Sequence, residues 1–291
     1  MIPTKFTFAS ASLLLLSMQP ALAQEDETVV NDAVSVEEVQ ADEKNWRSID
    51  PENLIIFETT KGRILIEAFP AIAPKHVTQF RAIVRSGDYD GTSFHRVIDG
   101  FMAQGGDVEA HLGRPTGLPN IEAEFTFRRV PAEFPLDLIG DENSSLQGYY
   151  KGLPVRTQSK FLAELSNDGR VKSYVPHCPG IVSTARLGND VNSGNAQFFL
   201  MRETSSFLDE EYSPWGRIVD GLDTVLNLKN GEPVQNPDIL IRATVAQDLP
   251  EDERPNVWVK KTDGPEFREY LKGIEDEAVC DLPPVPAVVQ G

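Results

Sequence analysis

Residues 94–107 place the side chains for one kind of chemistry within a short stretch of the chain. The stretch contains a permanent cation, Arg96, two bulky apolar side chains, Phe101 and Met102, and a neutral amide, Gln104. Side chains alternate between the faces of an extended strand, and an Asp-Gly turn between Arg96 and Phe101 allows two strands to share one face. An arginine beside an apolar surface can bind a greasy group and perturb a nearby carbonyl or amide. The same pattern also fits a strand with a surface arginine and ordinary core residues, because most arginines are exposed.

The elements that would position these residues are mostly short β-strands. Two β-branched runs flank a turn at residues 60–62, which predicts a hairpin. A helix is predicted to begin at Pro74 and to end before Gly87. Its buried stripe would consist of Val77, Phe80 and Val84. Further strands are predicted at residues 180–185, 196–201, 216–219 and 239–245, and a second helix at residues 222–228. Many short strands with only two convincing helices indicate a mainly β chain that folds as a closed antiparallel barrel.

Size and charge exclude some classes of function. The chain has 291 residues, of which 40% are hydrophobic and 25% charged, enough for one large or two small globular domains. Its formal net charge is -18, so repulsion from phosphates disfavours nucleic acid and anionic membranes as partners. His111 near Asp107 lacks further ligands, and no metal site is predicted.

The first 23 residues have the pattern of a secretory signal peptide. Lys5 precedes an apolar run at residues 13–16, and Ala21-Leu22-Ala23 follows with the small-x-small cleavage pattern. We therefore expect cleavage after Ala23 and a secreted protein, with the bacterial periplasm as its compartment. No later stretch reaches the ~18 apolar residues that a membrane span needs, so stable membrane insertion is not expected.

Cys178 and Cys280 are the two cysteines of the chain. Export favours a disulfide between them, which is the preferred interpretation. A thiol nucleophile activated by His177 is an alternative, although neighbouring side chains on a strand point to opposite faces. Two free buried thiols are the third possibility.

The segments at both ends of the chain and in its middle are harder to interpret. Residues 24–52 carry ten acidic residues against two basic ones, which predicts an acidic flexible linker rather than a partner-binding tail. Residues 126–174 mix prolines and glycines and are interpreted as a long ordered insertion with little regular structure. Residues 248–291 form a C-terminal extension with a possible strand and helix, and its tail at residues 282–291 is predicted to be disordered.

Residues 94–107 resemble the signature of the cyclophilin-type peptidyl-prolyl isomerases, and further motifs of that family follow in the correct order. These motifs are Lys61-Gly62 in the hairpin, Ala73-Pro74-Lys75-His76-Val77 with Phe80 in the first helix, Ala196-Gln197-Phe198-Phe199-Leu200 in the pocket strand, and Phe207-Leu208-Asp209 in the wall that follows. The resemblance covers residues 53–247, interrupted by the insertion at 126–174. Together with the signal sequence, it indicates an exported bacterial member.

The resemblance implies a closed eight-stranded antiparallel β-barrel, capped by two helices, with the active site on its outer face. Arg96 matches the family's catalytic arginine, and Gln104 matches the donor to the substrate carbonyl. The implied proline pocket consists of Phe101, Met102, Phe199 and Leu208. Ala185 and Arg186 match the loop that runs along the substrate backbone.

Three positions depart from the best-known members of the family. Phe207 stands where many eukaryotic members carry Trp, and Tyr212 stands where they carry His, although both would still line the substrate groove. Because the indole donor is lost, weak cyclosporin binding is expected, without loss of isomerisation. Arg186 replaces a common Asn and would add a second cation near the peptide.

The implied reaction is rotation about X–Pro peptide bonds. Resonance sets a barrier of ~18–20 kcal/mol for this rotation, and the two isomers exchange over ~10–100 s without a catalyst. Rotation requires no nucleophile, cofactor or metal. The expected partners are proline-containing unfolded or extended polypeptides, and the expected role is to assist folding of exported proteins. The alternative is a chaperone or docking module that binds proline-containing segments, with incidental catalysis and an insertion that overhangs the groove.

Overall fold

The computed structural model describes Met1 and residues 34–141, 144–274 and 277–291. The predicted signal peptide (apart from Met1), its cleavage after Ala23 and residues 24–33 of the predicted linker lie outside the described residues. Contacts join Val34–Gly291 into one unit, and all elements below belong to it. None of the described helices is long and apolar enough to cross a membrane.

Seventeen β-strands occur in the described residues and are numbered in chain order. They are β1 Trp46–Ser48, β2 Leu54–Thr59, β3 Gly62–Ala68, β4 Thr92–Ser93, β5 Arg96–Ile98, β6 Met102–Gly105, β7 Phe127–Arg129, β8 Asp137–Leu138, β9 Gln147–Tyr150, β10 Leu153–Thr157, β11 Val171–Tyr174, β12 Ile181–Thr184, β13 Phe198–Met201, β14 Ser213–Asp220, β15 Ile239–Val245, β16 Asn256–Lys260 and β17 Ala287–Gln290. The α-helices are α1 Val36–Ala41, α2 Pro74–Ser86, α3 Val108–Leu112, α4 Phe161–Leu165, α5 Leu222–Leu226 and α6 Pro265–Lys272.

The main sheet has nine antiparallel strands in the order β4-β15-β2-β3-β14-β12-β13-β6-β5. Its two edge strands, β4 and β5, are separated in sequence by only Phe94 and His95, so the sheet must curl until its edges approach. The mainly β prediction is confirmed, as a curled half-barrel with few helices. Within the described residues no ladder joins the two edges, and closure into an eight-stranded barrel stays a prediction.

The β2–β3 hairpin and helix α2 form as the sequence predicts. Thr59 Oγ1 donates to the Gly62 carbonyl at 2.7 Å, and Gly62 has a φ of 135°, which favours glycine. Pro74 occupies the first helical turn of α2, and Gly87 ends the helix in the left-handed conformation. The stripe predicted for this helix is buried, at Val77, Phe80 and Val84.

The buried apolar residues of the described chain form two clusters. The inner core lies between the main sheet and α2, and it includes a stack of Phe80 on Trp215 with ring centroids 4.5 Å apart. Phe198 contacts Phe57, Tyr89 and Phe94 in the same core. The outer cluster contains Leu54, Met102, Ile139, Tyr149, Leu153, Cys178, Phe199, Leu208, Val257, Val259, Phe267 and Val285, among others.

The insertion at residues 126–174 has regular structure, contrary to the prediction. It forms a five-stranded antiparallel sheet in the order β7-β11-β10-β9-β8, with α4 between β10 and β11. Strand β10 alternates buried and half-buried residues, but Pro154 within it argued against a strand. Pro154 is tolerated because β11 pairs with β10 only at Arg156 and Thr157, which leaves that side of Pro154 without a partner strand.

The two ends of the described chain also differ from their predictions. The predicted flexible linker contains α1, capped by Ser35 and Glu38, and β1. The predicted disordered tail contains β17, and both β1 and β17 pair with β16. High charge misled the prediction for the N-terminal segment, and proline content misled the prediction for the tail. In both segments β16 supplies the partner strand, far away in sequence from β1 and on the same C-terminal extension as β17. Helix α6, at residues 265–272, is the helix predicted for the C-terminal extension.

A disulfide connects Cys178 to Cys280 across 102 residues. Cys178 is 5% exposed and belongs to the outer cluster, beside β12 of the main sheet. The bond therefore joins the C-terminal extension to the main sheet, as the preferred interpretation of the two cysteines predicted. It also removes Cys178 as a thiol nucleophile.

Candidate active site

The hairpin of β5 and β6 brings Arg96 and Gln104 together. In its register Arg96 lies opposite Gln104, and Ile98 lies opposite Met102. Arg96 Nη1 is 3.5 Å from Gln104 Oε1 and 4.0 Å from Met102 Sδ. The Arg96 side chain is 35% exposed, so its guanidinium lies between solvent and an apolar surface.

Gln104 is oriented by a second amide, which the sequence did not single out. Its Nε2 donates to Gln197 Oε1 at 2.8 Å, while its Oε1 faces Arg96. Gln197 directly precedes β13, the strand that pairs with β6 and places Phe199 opposite Gln104. An amide nitrogen carries two hydrogens that can be donated. Because Gln197 accepts one of them, the other hydrogen of Gln104 Nε2 can be donated to a substrate carbonyl. The sequence feature that could have indicated Gln197 is its position in the motif Ala196-Gln197-Phe198-Phe199-Leu200 of the pocket strand.

The predicted apolar pocket is assembled on the outer cluster. Its four residues are Phe101, Met102, Phe199 and Leu208. Phe101 is partly buried, and the other three side chains are at most 5% exposed. The Phe101 ring lies 5.5 Å from that of Phe207, which is 72% exposed at the rim. The structure therefore brings the predicted pocket residues to one surface beside Arg96.

The wall carrying Leu208 and Tyr212 is held by a buried histidine. The Nδ1 atom of His177 lies 3.1 Å from Asp209 Oδ1, and its Nε2 atom lies 2.9 Å from Ser183 Oγ. The His177 ring stacks on Phe199 at 5.9 Å. This Ser-His-Asp order resembles a hydrolytic triad, but Ser183 is fully buried, and a substrate carbonyl cannot reach its hydroxyl. The contacts of His177 with Asp209 and Ser183 instead hold the wall in position.

Ala185 and Arg186 follow β12, beside this wall. The Arg186 guanidinium lies over the Tyr212 ring at 4.6 Å, and its Nε donates to the Glu211 carbonyl at 3.0 Å. Its side chain is only 8% exposed. Arg186 therefore supports Tyr212 in the wall and is not the free second cation that the sequence suggested.

Glu232 is a neighbour of Arg96 that the sequence did not indicate. Its Oε1 accepts a hydrogen bond from Arg96 Nε at 2.5 Å. The loop that carries it is bound across β5, because Val97 and Gly231 exchange backbone hydrogen bonds of 2.9 and 2.8 Å. A Cβ at Gly231 would lie 2.7 Å from the Val234 Cα, so this close approach requires glycine. A distant loop thus orients the guanidinium from its solvent side.

The assembled site combines an oriented guanidinium, an amide with a free donor and an apolar pocket. Arginine stays charged at all physiological pH values and only donates hydrogen bonds. Such a site can hold an apolar ring, bind a carbonyl and stabilise a lone pair on nitrogen. Within residues 34–141, 144–274 and 277–291, no group of three or more His, Cys, Asp or Glu residues is arranged to hold a metal ion.

Comparison with known proteins identifies the relatives of this chain. The family model for cyclophilin type peptidyl-prolyl cis-trans isomerase/CLD matches residues 54–246. A probable peptidyl-prolyl cis-trans isomerase of Brucella abortus (strain 2308) is 37% identical over 204 residues, which cover 68% of this chain and 85% of the relative. A peptidyl-prolyl cis-trans isomerase of Synechococcus elongatus is 30% identical over 190 residues, 65% of this chain and 97% of the relative.

A solved structure extends the likeness beyond the matched family region. The crystal structure of cyclophilin AquaCyp293 from Hirschia baltica is 52% identical, with a TM-score of 0.84. The superposition covers 88% of this chain and 97% of that one. Because this coverage exceeds residues 54–246, the likeness includes much of the sequence outside the common family region.

Proposed function

The chain belongs to the cyclophilin-type peptidyl-prolyl cis-trans isomerases, and on this basis we propose that it is an exported enzyme that assists folding of other exported proteins. It catalyses rotation about X–Pro bonds, and its proposed substrates are proline-containing unfolded or extended polypeptides. The predicted signal peptide supports export, as does a disulfide, since disulfides persist in oxidising compartments. The proposed compartment is the bacterial periplasm.

Catalysis of this rotation needs no covalent intermediate. The planar amide is stabilised by resonance, which is lost when the C–N bond twists. In the twisted state the prolyl nitrogen is pyramidal and carries a lone pair. A catalyst that donates a hydrogen bond to this lone pair, and less effectively to the planar amide, lowers the barrier.

Arg96 is the proposed donor to the prolyl nitrogen. The observation that carries this assignment is the position of its Nη1, 4.0 Å from Met102 Sδ and 3.5 Å from Gln104 Oε1. A proline ring held against Met102 would therefore place its nitrogen beside the guanidinium. The apolar surroundings strengthen the electrostatic effect, because hydrogen bonds act more strongly where water is excluded.

The remaining site residues bind and orient the substrate in this proposal. The pocket of Phe101, Met102, Phe199 and Leu208 takes the proline ring. Gln104 donates its free amide hydrogen to the substrate carbonyl, which holds one side of the bond while the other turns. Ala185, Arg186, Phe207 and Tyr212 form the groove along the peptide. Phe207 lacks an indole N–H, so cyclosporin is expected to bind weakly.

We also propose that the curled main sheet acts as a closed eight-stranded barrel with the site on its outer face. Phe94 and His95 connect its two edge strands, and the loop at Gly231 bridges to Val97 of one of them, which supports this proposal. The ends of α2 and the α5 region would cap the barrel openings. A closed barrel would keep Arg96 at a fixed distance from the pocket wall on β13.

Substitution of Arg96 by Ala tests the proposed mechanism. We expect turnover of a short X–Pro peptide, measured by NMR exchange, to fall at least about a hundredfold, because the variant loses its stabilisation of the twisted state. Arg242→Ala is the matched control, since Arg242 is an exposed, ion-paired arginine on the same sheet. Unchanged exchange in Arg96→Ala would remove Arg96 from the mechanism. An inactive wild type that still binds proline-containing clients would instead support the docking-module alternative.

A further inference from the structure

A cavity of about 860 Å³ lies away from the active site, between the insertion sheet, β1 and α6. We call it the basic cavity, because its described lining residues include seven basic and three acidic side chains. This balance is the reverse of that of the whole chain, which has a net charge of -18. Basic side chains concentrated at one place in an acidic protein generate a local positive potential.

Arg129 is a buried lining residue of the basic cavity, and no described residue supplies it with a counter-charge. Its side chain is 6% exposed and donates to Ser173 Oγ at 3.1 Å, the Phe134 carbonyl at 3.0 Å and Thr157 Oγ1 at 3.0 Å. All three partners are neutral, and no carboxylate lies within ion-pair distance among the described residues. Burial lowers the pKa of Arg129 to about 10. A guanidinium has five N–H donors, so Arg129 can donate further bonds to an anion.

A second cation of the cavity shares its carboxylate with another arginine. Arg47 Nη1 bonds Glu67 Oε1 at 2.7 Å, and Arg217 Nε lies 3.4 Å from Glu67 Oε2. Glu67 and Arg217 are each 5% exposed. One buried carboxylate therefore faces two guanidinium groups, which leaves a surplus positive charge beside the cavity.

The rim of the basic cavity adds exposed cations. Neither Lys160 nor Arg268 forms an ion pair with any described residue, and Lys261 Nζ bonds only the Glu43 carbonyl, at 3.4 Å. Among the acids, Asp137 accepts a hydrogen bond from Thr262 Oγ1 at 2.6 Å, and burial raises the pKa of Asp137. The described lining residues still include four more basic than acidic side chains, so they do not cancel the positive charge of Arg129 and Arg47.

We propose that the basic cavity binds a small polyanion carrying more than one phosphate or carboxylate group. Guanidinium groups match both kinds of group through paired hydrogen bonds. The volume lies in the range of about 300–1,000 Å³ that is usual for small-molecule sites. A long polyanion is disfavoured, because the acidic surface outside the cavity would repel it. The site is separate from the isomerase groove, whose residues do not line it.

Calorimetric titration of the full chain with inorganic triphosphate, and separately with citrate, tests this proposal. We expect saturable one-site binding at low salt with a dissociation constant below ~100 µM, weakened by added NaCl because salt screens the rim charges. Binding of triphosphate alone would assign the site to phosphates, and binding of citrate alone would assign it to carboxylates. Absence of binding for both probes up to ~1 mM would overturn the proposal.

Substitutions at the rim of the basic cavity test whether the polyanion binds there. The buried arginines are left unchanged, because their loss could prevent folding. The double substitution Lys160→Ala/Arg268→Ala is expected to weaken binding at least about tenfold, because it removes two charge-assisted contacts. Isomerase activity should be unchanged and reports that the variant is folded. Arg128→Ala is the matched control: Arg128 neighbours Arg129 on β7, but it is 53% exposed and paired with Asp168. Equal affinity of the double variant and wild type, or a loss confined to Arg128→Ala, would show binding elsewhere and contradict the proposal.

Discussion

The inner core and the outer cluster are built from different parts of the chain. Among the described residues, every member of the inner core lies between Ile55 and Val245, and none comes from the insertion. The outer cluster combines the pocket residues Met102, Phe199 and Leu208 with residues of the N-terminal segment, the insertion and the C-terminal extension. The described residues of the inner core therefore all come from the region that the family model matches. The back of the active site, in contrast, depends on the segments added to that region.

This difference assigns separate roles to the two regions. The inner core determines whether the main sheet forms, so its residues should control global stability. The outer cluster determines how firmly the pocket wall is held, so its residues should control local stability and the affinity for substrate. The predictions below either separate the two regions or test the contacts that join them.

Loss of an inner aromatic ring is expected to have the largest effect. Phe198 is fully buried among Phe57, Tyr89 and Phe94. Phe198→Ala should lower the free energy of unfolding by about 3–5 kcal/mol, because it leaves a cavity in a packed core. Urea unfolding followed by tryptophan fluorescence measures this change. Phe267→Ala in α6 is the outer counterpart and should cost less; an equal loss in both variants would contradict the division into two regions.

Removal of the disulfide should loosen the outer region selectively. Cys178→Ala/Cys280→Ala opens a loop of 102 residues and should cost about 2–4 kcal/mol, because the unfolded chain is no longer constrained. Hydrogen exchange by mass spectrometry is expected to rise in β16 and β17, while β2 and β3 keep their protection. A uniform rise across both regions would show that they unfold together.

Glu124 joins α2 of the inner core to the segment before the insertion. Its carboxylate accepts hydrogen bonds from the backbone of Lys75 and His76 and lies 2.7 Å from His76 Nδ1. Burial opposes ionisation, but the hydrogen bonds from His76 and Lys75 outweigh it, and the pKa of Glu124 is lowered. Its stabilising contribution is therefore complete above the unfolded pKa of about 4.3 and is lost as the pH falls through the lower folded pKa.

Glu124→Gln should consequently flatten the acid side of the stability profile. We expect wild type to lose more stability than the variant as the pH falls below about 4.3, as measured by urea unfolding at each pH. Glu122→Gln is the control, because Glu122 is exposed and pairs with Lys75 alone among the described residues. Parallel profiles for wild type and Glu124→Gln would show that Glu124 does not stabilise the junction.

Glu232 should have the smallest effect, because its contact with Arg96 is exposed. The two side chains are 58% and 35% exposed, and such ion pairs contribute at most about 1 kcal/mol. Glu232→Ala should therefore lower kcat/KM for a short X–Pro peptide by no more than about fivefold, through a less ordered guanidinium. Glu232→Gln keeps a hydrogen-bond acceptor and should remain close to wild type. A loss in Glu232→Ala as large as that expected for Arg96→Ala would make Glu232 part of the catalytic set.

The sequence was informative wherever local pattern and local structure agree. The hairpin around Gly62, the buried stripe of α2 and the pocket strand β13 form from short-range spacing, and the structure contains all three. The predicted site residues also come together, because the register of β5, β6 and β13 follows from their alternation. Gln197 was within reach of the same reasoning, since it adjoins a recognised motif.

Charge and proline content gave the wrong answer for the added segments. The acidic segment before β2 and the Pro-rich tail each contribute a strand, because β16 supplies the hydrogen-bonding partner that neither segment contains. Pro154 concealed strand β10, which needs no partner on that side. Glu232 had no sequence signal at all, since its contact with Arg96 spans 136 residues.

The amino-acid sequence by itself determined the chemistry that this protein can perform: an arginine that cannot lose its charge, an amide donor and apolar side chains on adjacent strands. Only the tertiary structure decided how these groups are supported and charged. Contacts between distant segments determine the partners of Arg186 and the surplus positive charge of the basic cavity. They also join the N-terminal segment and the C-terminal extension to the cluster behind the pocket. The burial of a group and its Coulomb energy depend on its neighbours in space. The spacing of residues along the chain does not specify these neighbours.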